Sequence, residues 1–428
     1  MTSGALAESA TERRLRLVRQ HGYNGLALLT LYDGWRYFES PNIDGFIPYE
    51  LHRSVAVACG DPVCAEGDLG VLVAGFVEYC HLRGWRFAMV GTTPRVAQAA
   101  AKLHLKPLKI GEEALFDLSG PMPRGKAAKR ARWAVNKARR SGVAVEEYGT
   151  PSKDIDDEIQ EVADEWLETR KGPPMSYLLR SRPLSLRGEK RVFVARHGGR
   201  IVGIITCSPA PARKLLQVEE QLRRQDAPYG TSELLVEVAR TAAARDGYRW
   251  FSLGVSPLQG AERQPYGRFR LPRLLFAFCQ SRINFLYNFS LLNRFKKKFG
   301  SSCWEDSFLV YQNGLLPVAL GLVTAFSPDG IPSLLLPRRL QWLRFVPTPV
   351  FWLATAVGVA LATFAVWEFA VLRAPLELVG DVLPSMRLPA SSLIRDARVV
   401  LLAHRMLASI ALVLLAGGFL WRRHQART

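Results

Sequence analysis

Glu220 and Glu233 bracket a loop that carries Arg223, Asp226, Pro228, Gly230, Thr231 and Ser232. Either carboxylate can act as a general base or hold an amine. Glu233 can equally be a favourable charge at the start of a helix. Arg223 suits a clamp on phosphate, or an ion pair with Glu220. Gly230-Thr231-Ser232 opens a predicted helix, whose free N–H groups suit phosphate and whose hydroxyls suit a cap. Asp226 fits a site or a plain turn, and Tyr287, beside Asn288, fits a site or the core. Lys296 and Lys298 alternate with Phe295 and Phe299, an arrangement that places cations near phosphates or against an anionic surface. Gly254 and Ser256 do not make a G-x-S-x-G elbow, because Leu258 replaces the second glycine. That argues against a serine esterase.

The elements that must hold these residues are used twice. Gly84-Trp85-Arg86-Phe87-Ala88-Met89-Val90-Gly91-Thr92-Thr93-Pro94 reappears as Gly247-Tyr248-Arg249-Trp250-Phe251-Ser252-Leu253-Gly254-Val255-Ser256-Pro257. Gly67 precedes Gly84 by 17 residues, and Gly230 precedes Gly247 by the same 17. A repeat of this kind sets the architecture. The unit reads as a glycine loop, a helix of about four turns, a tight turn and a short buried strand.

Around the two units the pattern predicts an α/β body. Leu26–Leu29, Trp35–Phe38 and Ser54–Ala58 read as strands, the first two joined by an Asp33-Gly34 hairpin turn. Helices are predicted at Val71–Leu82, Val96–Leu103 and Asp154–Leu167, and further strands at Phe87–Val90, Ala114–Leu118, Val192–Ala195, Ile201–Thr206, Leu215–Leu222 and Phe308–Tyr311. Strands, then a glycine loop onto a helix, then a strand, is the order of an N-acetyltransferase-type (GNAT-like) fold, here in tandem. Between the halves runs an acid-free stretch with Arg124, Lys126, Lys129, Arg130, Arg132, Lys137, Arg139 and Arg140. Its alanines make it a strong helix former. Lys129, Trp133, Asn136 and Arg140 recur at helical spacing, and cations beside a stackable ring suit nucleic-acid phosphates and bases. A solvated bridging helix is the plainer alternative, but such helices mix charge signs.

Lys+Arg 57 against Asp+Glu 38 gives a net charge of +19, which calls for an anionic partner, nucleic acid or membrane. The six cysteines show no C-x-x-C pairing and read as reduced thiols; no metal site is visible and no cofactor is expected. Residues 1–20 carry six charges and no apolar core, so they do not read as a secretion signal. Val350–Ala370 holds one charge, Glu368, and Val399–Trp421 is apolar except for His404 and Arg405. Both are close to the ~20 residues needed to span a bilayer. Arginines before the first and after the second predict a cytoplasmic body on a membrane hairpin. The expected organisation is an N-terminal helix or tail at 1–20, a first GNAT-like domain at 21–142 that ends in the basic helix, a second at 143–315 that carries the site, a linker at 316–349, and spans at 350–372 and 399–421.

The segment Glu219-Glu220-Gln221-Leu222-Arg223-Arg224-Gln225-Asp226-Ala227-Pro228-Tyr229-Gly230-Thr231-Ser232-Glu233 resembles the signature of the phosphatidylglycerol lysyltransferase C-terminal domain family, where an acid, an arginine and D-A-P-x-G-T-x-[DE] follow in order. Leu253-Gly254-Val255-Ser256-Pro257-Leu258, Tyr287-Asn288-Phe289 with Phe295-Lys296-x-Lys298-Phe299, and the basic segment ending Asn136-Lys137-x-x-x-x-Gly142 agree with it. So do Gly60-Asp61-Pro62 and Gly111-Glu112-Glu113-Ala114. The resemblance covers about residues 20–313. Tyr229 stands where many members have Asn, and two apolar spans follow the body where the best-known members place many before it.

The resemblance implies transfer of an amino acid from aminoacyl-tRNA to a hydroxyl of a phospholipid headgroup at the membrane. Glu220, Arg223 and Glu233 would then be catalytic. Asp226, Pro228, Gly230, Thr231, Gly254, Ser256, Tyr287, Asn288, Lys296 and Lys298 would bind substrate, and Lys129, Arg132, Asn136, Lys137 and Arg140 would bind the RNA. Residues 224–233 hold one glycine, so the R/Q-x-x-G-x-G/A loop of ordinary coenzyme A transferases is missing. Two alternatives stand beside this reading: an N-acyltransferase using an acyl thioester, and a non-catalytic domain that holds tRNA or anionic lipid.

Overall fold

The computed structural model describes residues 8–120, 126–169, 182–266, 289–312 and 314–326. The spans at 350–372 and 399–421, and the pair Tyr287 and Asn288, lie outside the described residues. Among the described residues no helix is long and apolar enough to cross a membrane.

Among the described residues eleven strands make one sheet: β1 (Arg36–Glu39), β2 (Phe46–His52), β3 (Val55–Cys59), β4 (Arg86–Thr92), β5 (Lys106–Asp117), β6 (Ala144–Glu147), β7 (Arg191–His197), β8 (Arg200–Ala210), β9 (Leu215–Arg223), β10 (Trp250–Pro257) and β11 (Cys303–Tyr311). Their order is β1-β2-β3-β4-β11-β5-β10-β9-β8-β7-β6. Helices α1 (Ala10–His21), α2 (Leu69–Leu82), α3 (Pro94–Lys102), α4 (Lys126–Arg140), α5 (Lys153–Glu168), α6 (Thr231–Arg245), α7 (Phe289–Lys297) and α8 (Leu315–Phe326) complete the described elements.

The copied sequence is copied structure. Strand β3, helix α2 and strand β4 form one unit with β3 and β4 parallel, and β9, α6 and β10 form the other, also parallel. Matching glycines do matching work. Gly84 and Gly247 leave their helices at φ +67° and +81°, and Gly91 and Gly254 both sit at +73° within their strands. Only glycine adopts those angles without strain.

The two units share their last strands by exchange. Strand β5 follows the first unit yet pairs antiparallel with β10 of the second, from Trp250↔Asp117 to Pro257↔Gly111. Strand β11 follows the second unit yet pairs with β4 of the first, from Phe308↔Thr92 to Tyr311↔Ala88. The two then pair with each other along nine registered positions, Cys303↔Leu115 to Tyr311↔Lys106. The central strands therefore belong to both halves.

Apolar faces pack on this sheet from both sides. Helices α4 and α6 cover Phe193, Leu216 and Phe251, while Ile159 and Val162 of α5 cover Val192, Ile204 and Leu222. Phe76 of α2 lies among Tyr49, Phe87 and Met89. Burying each such side chain contributes roughly 1.5–3 kcal/mol. Helix α8 comes close enough to β3 that a Cβ on Gly321 would stand 2.8 Å from Val55.

Three local expectations are corrected. Leu28–Leu31 is a 3-10 turn, not a strand, so no hairpin joins it to β1. Leu28 and Leu29 are buried there, which a short turn achieves as well as a strand does. Strand β2 is absent from the sequence pattern, because Pro48 interrupts it; Pro48 stands opposite Tyr37 of β1, and the ladder with β3 begins one residue later at Tyr49. Strand β5 is longer than its apolar end at Ala114–Leu118, since Lys109 finds Glu112 at 2.7 Å and Asp306 at 2.6 Å.

Candidate active site

The parallel pair β9–β10 comes apart. Its register runs from Trp250↔Leu215 to Ser252↔Gln217 and stops, although β9 continues to Arg223 and β10 to Pro257. The equivalent pair β3–β4 stays together from Val55↔Arg86 to Cys59↔Val90. On its other side β10 keeps its pairing with β5, with a register shift between Ser252 and Val255. The opening is therefore one-sided, and Gly254 stands at its apex.

Lys296, at the end of α7, enters this apex. Its Nζ donates to the carbonyls of Gly254 and Val255, each at 2.8 Å. A Cβ on Gly254 would stand 3.7 Å from the Val218 carbonyl of β9 and 3.9 Å from Lys296 Nζ, so Gly254 faces both the other splayed strand and the amine. Lys296 is 4% exposed. Burial lowers its pKa to about 7, against the opposing pull of Glu113. An amine so placed is divided between its two protonation states near neutrality.

Glu113 is buried beneath it on β5. Burial raises its pKa, the Ser252 hydrogen bond and the charges of Arg213 and Lys296 lower it, and Glu305 raises it. The Ser252 hydroxyl bonds Glu113 and accepts the Gly254 N–H at 2.8 Å. Glu305 lies opposite Glu113 in the β11 register and is held by Arg213 through two bonds of 2.7 Å. Ser256 is buried and its hydroxyl has no partner among the described residues.

The loop before α6 is tightly specified. Gly230 is the N-cap at φ +95°, and a Cβ there would meet the Ala134 carbonyl of α4 at 2.0 Å. Thr231 is turned inward, donating its N–H and its hydroxyl to the Pro228 carbonyl at 3.2 and 2.7 Å, so it does not cap the helix. Gln221 of β9 reaches the Ser232 carbonyl at 2.8 Å. Glu233 is buried and ion-paired with Lys298, whose ammonium lies 4.3 Å from the centre of the Phe295 ring.

The residues read from the sequence thus separate into groups. Gly254 and Lys296 touch directly, and Glu233 meets Lys298. Glu220 accepts the backbone N–H of Arg182 at 2.9 Å. Arg223 is exposed at the end of β9 and bonds the Arg224 carbonyl at 3.3 Å. Asp226 pairs with Arg200 at the surface. Sequence reasoning misses three groups. Glu113 and Ser252 lie in the apex. Glu219, beside Glu220, receives the Tyr32 hydroxyl at 2.7 Å and the buried Lys190 at 3.5 Å. Arg224, not Arg223, turns inward to Glu161 at 2.9 Å and Glu165 at 3.0 Å. The available signal for Glu113 is the Gly111-Glu112-Glu113-Ala114 block, which agrees with the family signature but yields no site residue in the sequence reading.

Helix α4 lies on α6 through Ala131, Ala134, Val135 and Ala138, all buried. Lys129, Arg132, Trp133, Asn136, Lys137 and Arg140 are all exposed on its outer side. Arg139 pairs with Glu237 of α6 at 3.0 Å.

Comparison with known proteins agrees with this architecture. Residues 15–311 match the family described as phosphatidylglycerol lysyltransferase, C-terminal. The phosphatidylglycerol lysyltransferase of Staphylococcus epidermidis is 25% identical over 302 residues, covering 69% of this chain and 35% of that protein. That of Staphylococcus aureus is 26% identical over 308 residues, with the same coverage of 69% and 35%. The chain thus spans about a third of the length of these curated relatives. A crystal structure of the C-terminal domain of a protein described as a putative lysylphosphatidylglycerol synthetase, from Agrobacterium fabrum, superposes with a TM-score of 0.64 at 26% identity, over 75% of this chain and 98% of that one. The structure of L-PGS from Bacillus licheniformis superposes at 0.60 and 22% identity, over 76% and 98%, and shares the fold.

Proposed function

The chain belongs to the phosphatidylglycerol lysyltransferase C-terminal family, and on that premise we propose that it moves an amino acid from aminoacyl-tRNA to a hydroxyl of a phospholipid headgroup such as phosphatidylglycerol. The observation that carries the reading is the splayed β9–β10 pair with the buried amine of Lys296 at its apex. An acyl group lying in that opening would meet a group able to gain or lose a proton near neutral pH.

In the reaction, the headgroup hydroxyl oxygen bonds the ester carbonyl carbon and the ester bond to the terminal ribose breaks. The hydroxyl proton passes to the departing ribose oxygen. Lys296 in its charged form stabilises the oxyanion of the tetrahedral intermediate; its pKa suits it to share the transferred proton. Gly254 keeps the two carbonyls that hold Lys296 aimed into the opening. Glu113 and Ser252 support the bend from behind. Glu220 on the diverging part of β9 is suited to the α-amine of the donor. Glu233 is engaged by Lys298, so an amine reaching it would have to displace that lysine. The cations of α4 supply phosphate contacts, whose sequence-independent attraction draws the RNA to this side. The tandem N-acetyltransferase-type fold, the body at the inner leaflet and the tether at 350–372 and 399–421 belong to the same proposal.

The test is a lipid extract from cells with and without the gene, fed labelled amino acids. A labelled cationic lipid that depends on the gene, is formed in extracts only while RNA is intact, and disappears with Lys296→Met supports the reading. Labelled lipid formed after ribonuclease treatment points to a thioester donor. Absence of any labelled lipid sinks the transfer.

A further inference from the structure

We infer that Trp133 and Tyr229 form a stacking platform for an unpaired nucleobase of the RNA donor, with Lys137 beside them to neutralise the adjoining phosphate. The inference rests on the proposed use of an RNA donor and says where its unpaired end lies. Two large rings from different elements stand in solvent at this point: Trp133 of α4 is 51% exposed and Tyr229 of the loop before α6 is 56% exposed. Single exposed aromatics are ordinary. These two touch, with centroids 5.4 Å apart and planes at 62°. Lys137 Nζ lies 5.3 Å from one ring centre and 5.1 Å from the other.

The pair is held rigidly. Tyr229 precedes Gly230, whose φ of +95° and close approach to the Ala134 carbonyl fix the loop against α4 at the residue next to Trp133. A rigid aromatic edge-to-face pair offers an open ring face at little entropic cost, and bases of any identity stack on it. Its setting selects RNA over a membrane. A membrane-surface helix needs an apolar stripe for the acyl chains. The stripe of α4 is spent inward on α6, and its outer side carries cations, one amide and Trp133. Position points the same way: Tyr229 adjoins the N-terminus of α6, whose first turn carries Glu233. An aminoacyl ester hangs from the terminal ribose of an unpaired 3′ end. A base parked on the platform would leave that ester beside the candidate site.

The experiment measures binding of the full chain in vesicles to a tRNA and to the same tRNA trimmed of its unpaired 3′ nucleotides. Trimming should weaken wild-type binding by about tenfold, the lower part of what one stacked base contributes. Trp133→Ala and Tyr229→Ala should each weaken binding of intact tRNA similarly, leave the trimmed tRNA unaffected, and Trp133→Phe should restore most of the affinity. Equal binding of intact and trimmed RNA by the wild type overturns the platform, as does an equal weakening on both RNAs in Trp133→Ala. A Trp133→Ala protein that binds RNA normally but binds protein-free anionic vesicles less well assigns the patch to lipid and overturns it too. Lipid aminoacylation, read in parallel, separates the two ideas. Labelled lipid without any trimming effect sinks the platform alone, and a trimming effect without labelled lipid sinks the transfer alone.

Discussion

Replacing Lys296 by methionine should abolish one component of the pH dependence of stability. The side chain is buried, and its pKa is lowered from 10.5 to about 7 in the folded chain. Between those values the unfolded chain binds a proton that the folded chain does not, so stability rises with pH across this window. Below pH 7 the folded state bears the full penalty of a buried charge, about 5 kcal/mol for a shift of this size. Above pH 10.5 the penalty is gone. Integrated from pH 7 to pH 9, the gain is about 2 kcal/mol. Methionine removes the titration and keeps the volume, but leaves the Gly254 and Val255 carbonyls without their donor. Each carbonyl so stranded costs roughly 1–3 kcal/mol. The variant should therefore be less stable than wild type at pH 9, and the gap should narrow by about 2 kcal/mol at pH 7. Urea unfolding of both proteins at the two pH values reads this directly, and the subtraction cancels the titrating groups that do not interact with Lys296. Glu113 does interact with it, so Glu113→Gln in both backgrounds completes the comparison. A gap that stays constant across the range would refute a buried amine at the apex.

Gly230→Ala forces a left-handed angle on alanine and drives its Cβ into the Ala134 carbonyl. It should cost at least about 2 kcal/mol, seen as a lower urea midpoint, because neither α4 nor the loop can yield without unpacking the other. Binding of RNA should fall steeply with salt, and neutralising Lys129 and Arg140 together should flatten the log–log slope by about one unit for each phosphate that is no longer neutralised. An unchanged slope would remove those two side chains from the RNA interface. Arg213→Ala strands Glu305 opposite Glu113 and should lower stability by about 3 kcal/mol, measured by the same unfolding assay.

The repeat was legible because its glycines are demanded by backbone angle. Gly84 with Gly247, and Gly91 with Gly254, occupy left-handed positions that few other residues tolerate. Helices α2, α3 and α5 were legible from their apolar spacing, α6 from the repeat and α4 from its alanines. Helix α8 lies almost wholly in the stretch read as a linker and was missed, because it is apolar on nearly every side and shows no amphipathic period. The centre of the sheet was harder. Lys109, Glu112 and Glu113 make β5 look like a surface segment, yet their charges are answered across the sheet by Asp306, Arg263 and Ser252. Local pattern cannot report partners that lie well over a hundred residues away. Lys296-Lys297-Lys298 reads as a uniform basic run. Helical phase divides it, sending Lys296 into the apex, Lys298 to Glu233 and Lys297 toward solvent. Arg223 and Arg224 are similarly alike in sequence, and only the end of β9 between them sets their directions apart.

The exchanged strands constrain how the molecule can be made. When the ribosome has finished the segment that ends at Asp117, β4 still has one bare flank, because its neighbour β11 is encoded nearly two hundred residues downstream. A nascent first half therefore exposes a hydrogen-bonding edge for the whole of the remaining synthesis, a state prone to mispairing. Neither half can be cut away and expressed alone without leaving such an edge behind. The sheet is complete only when β11 lies in the slot between β4 and β5, and that strand is among the last of the body to be made.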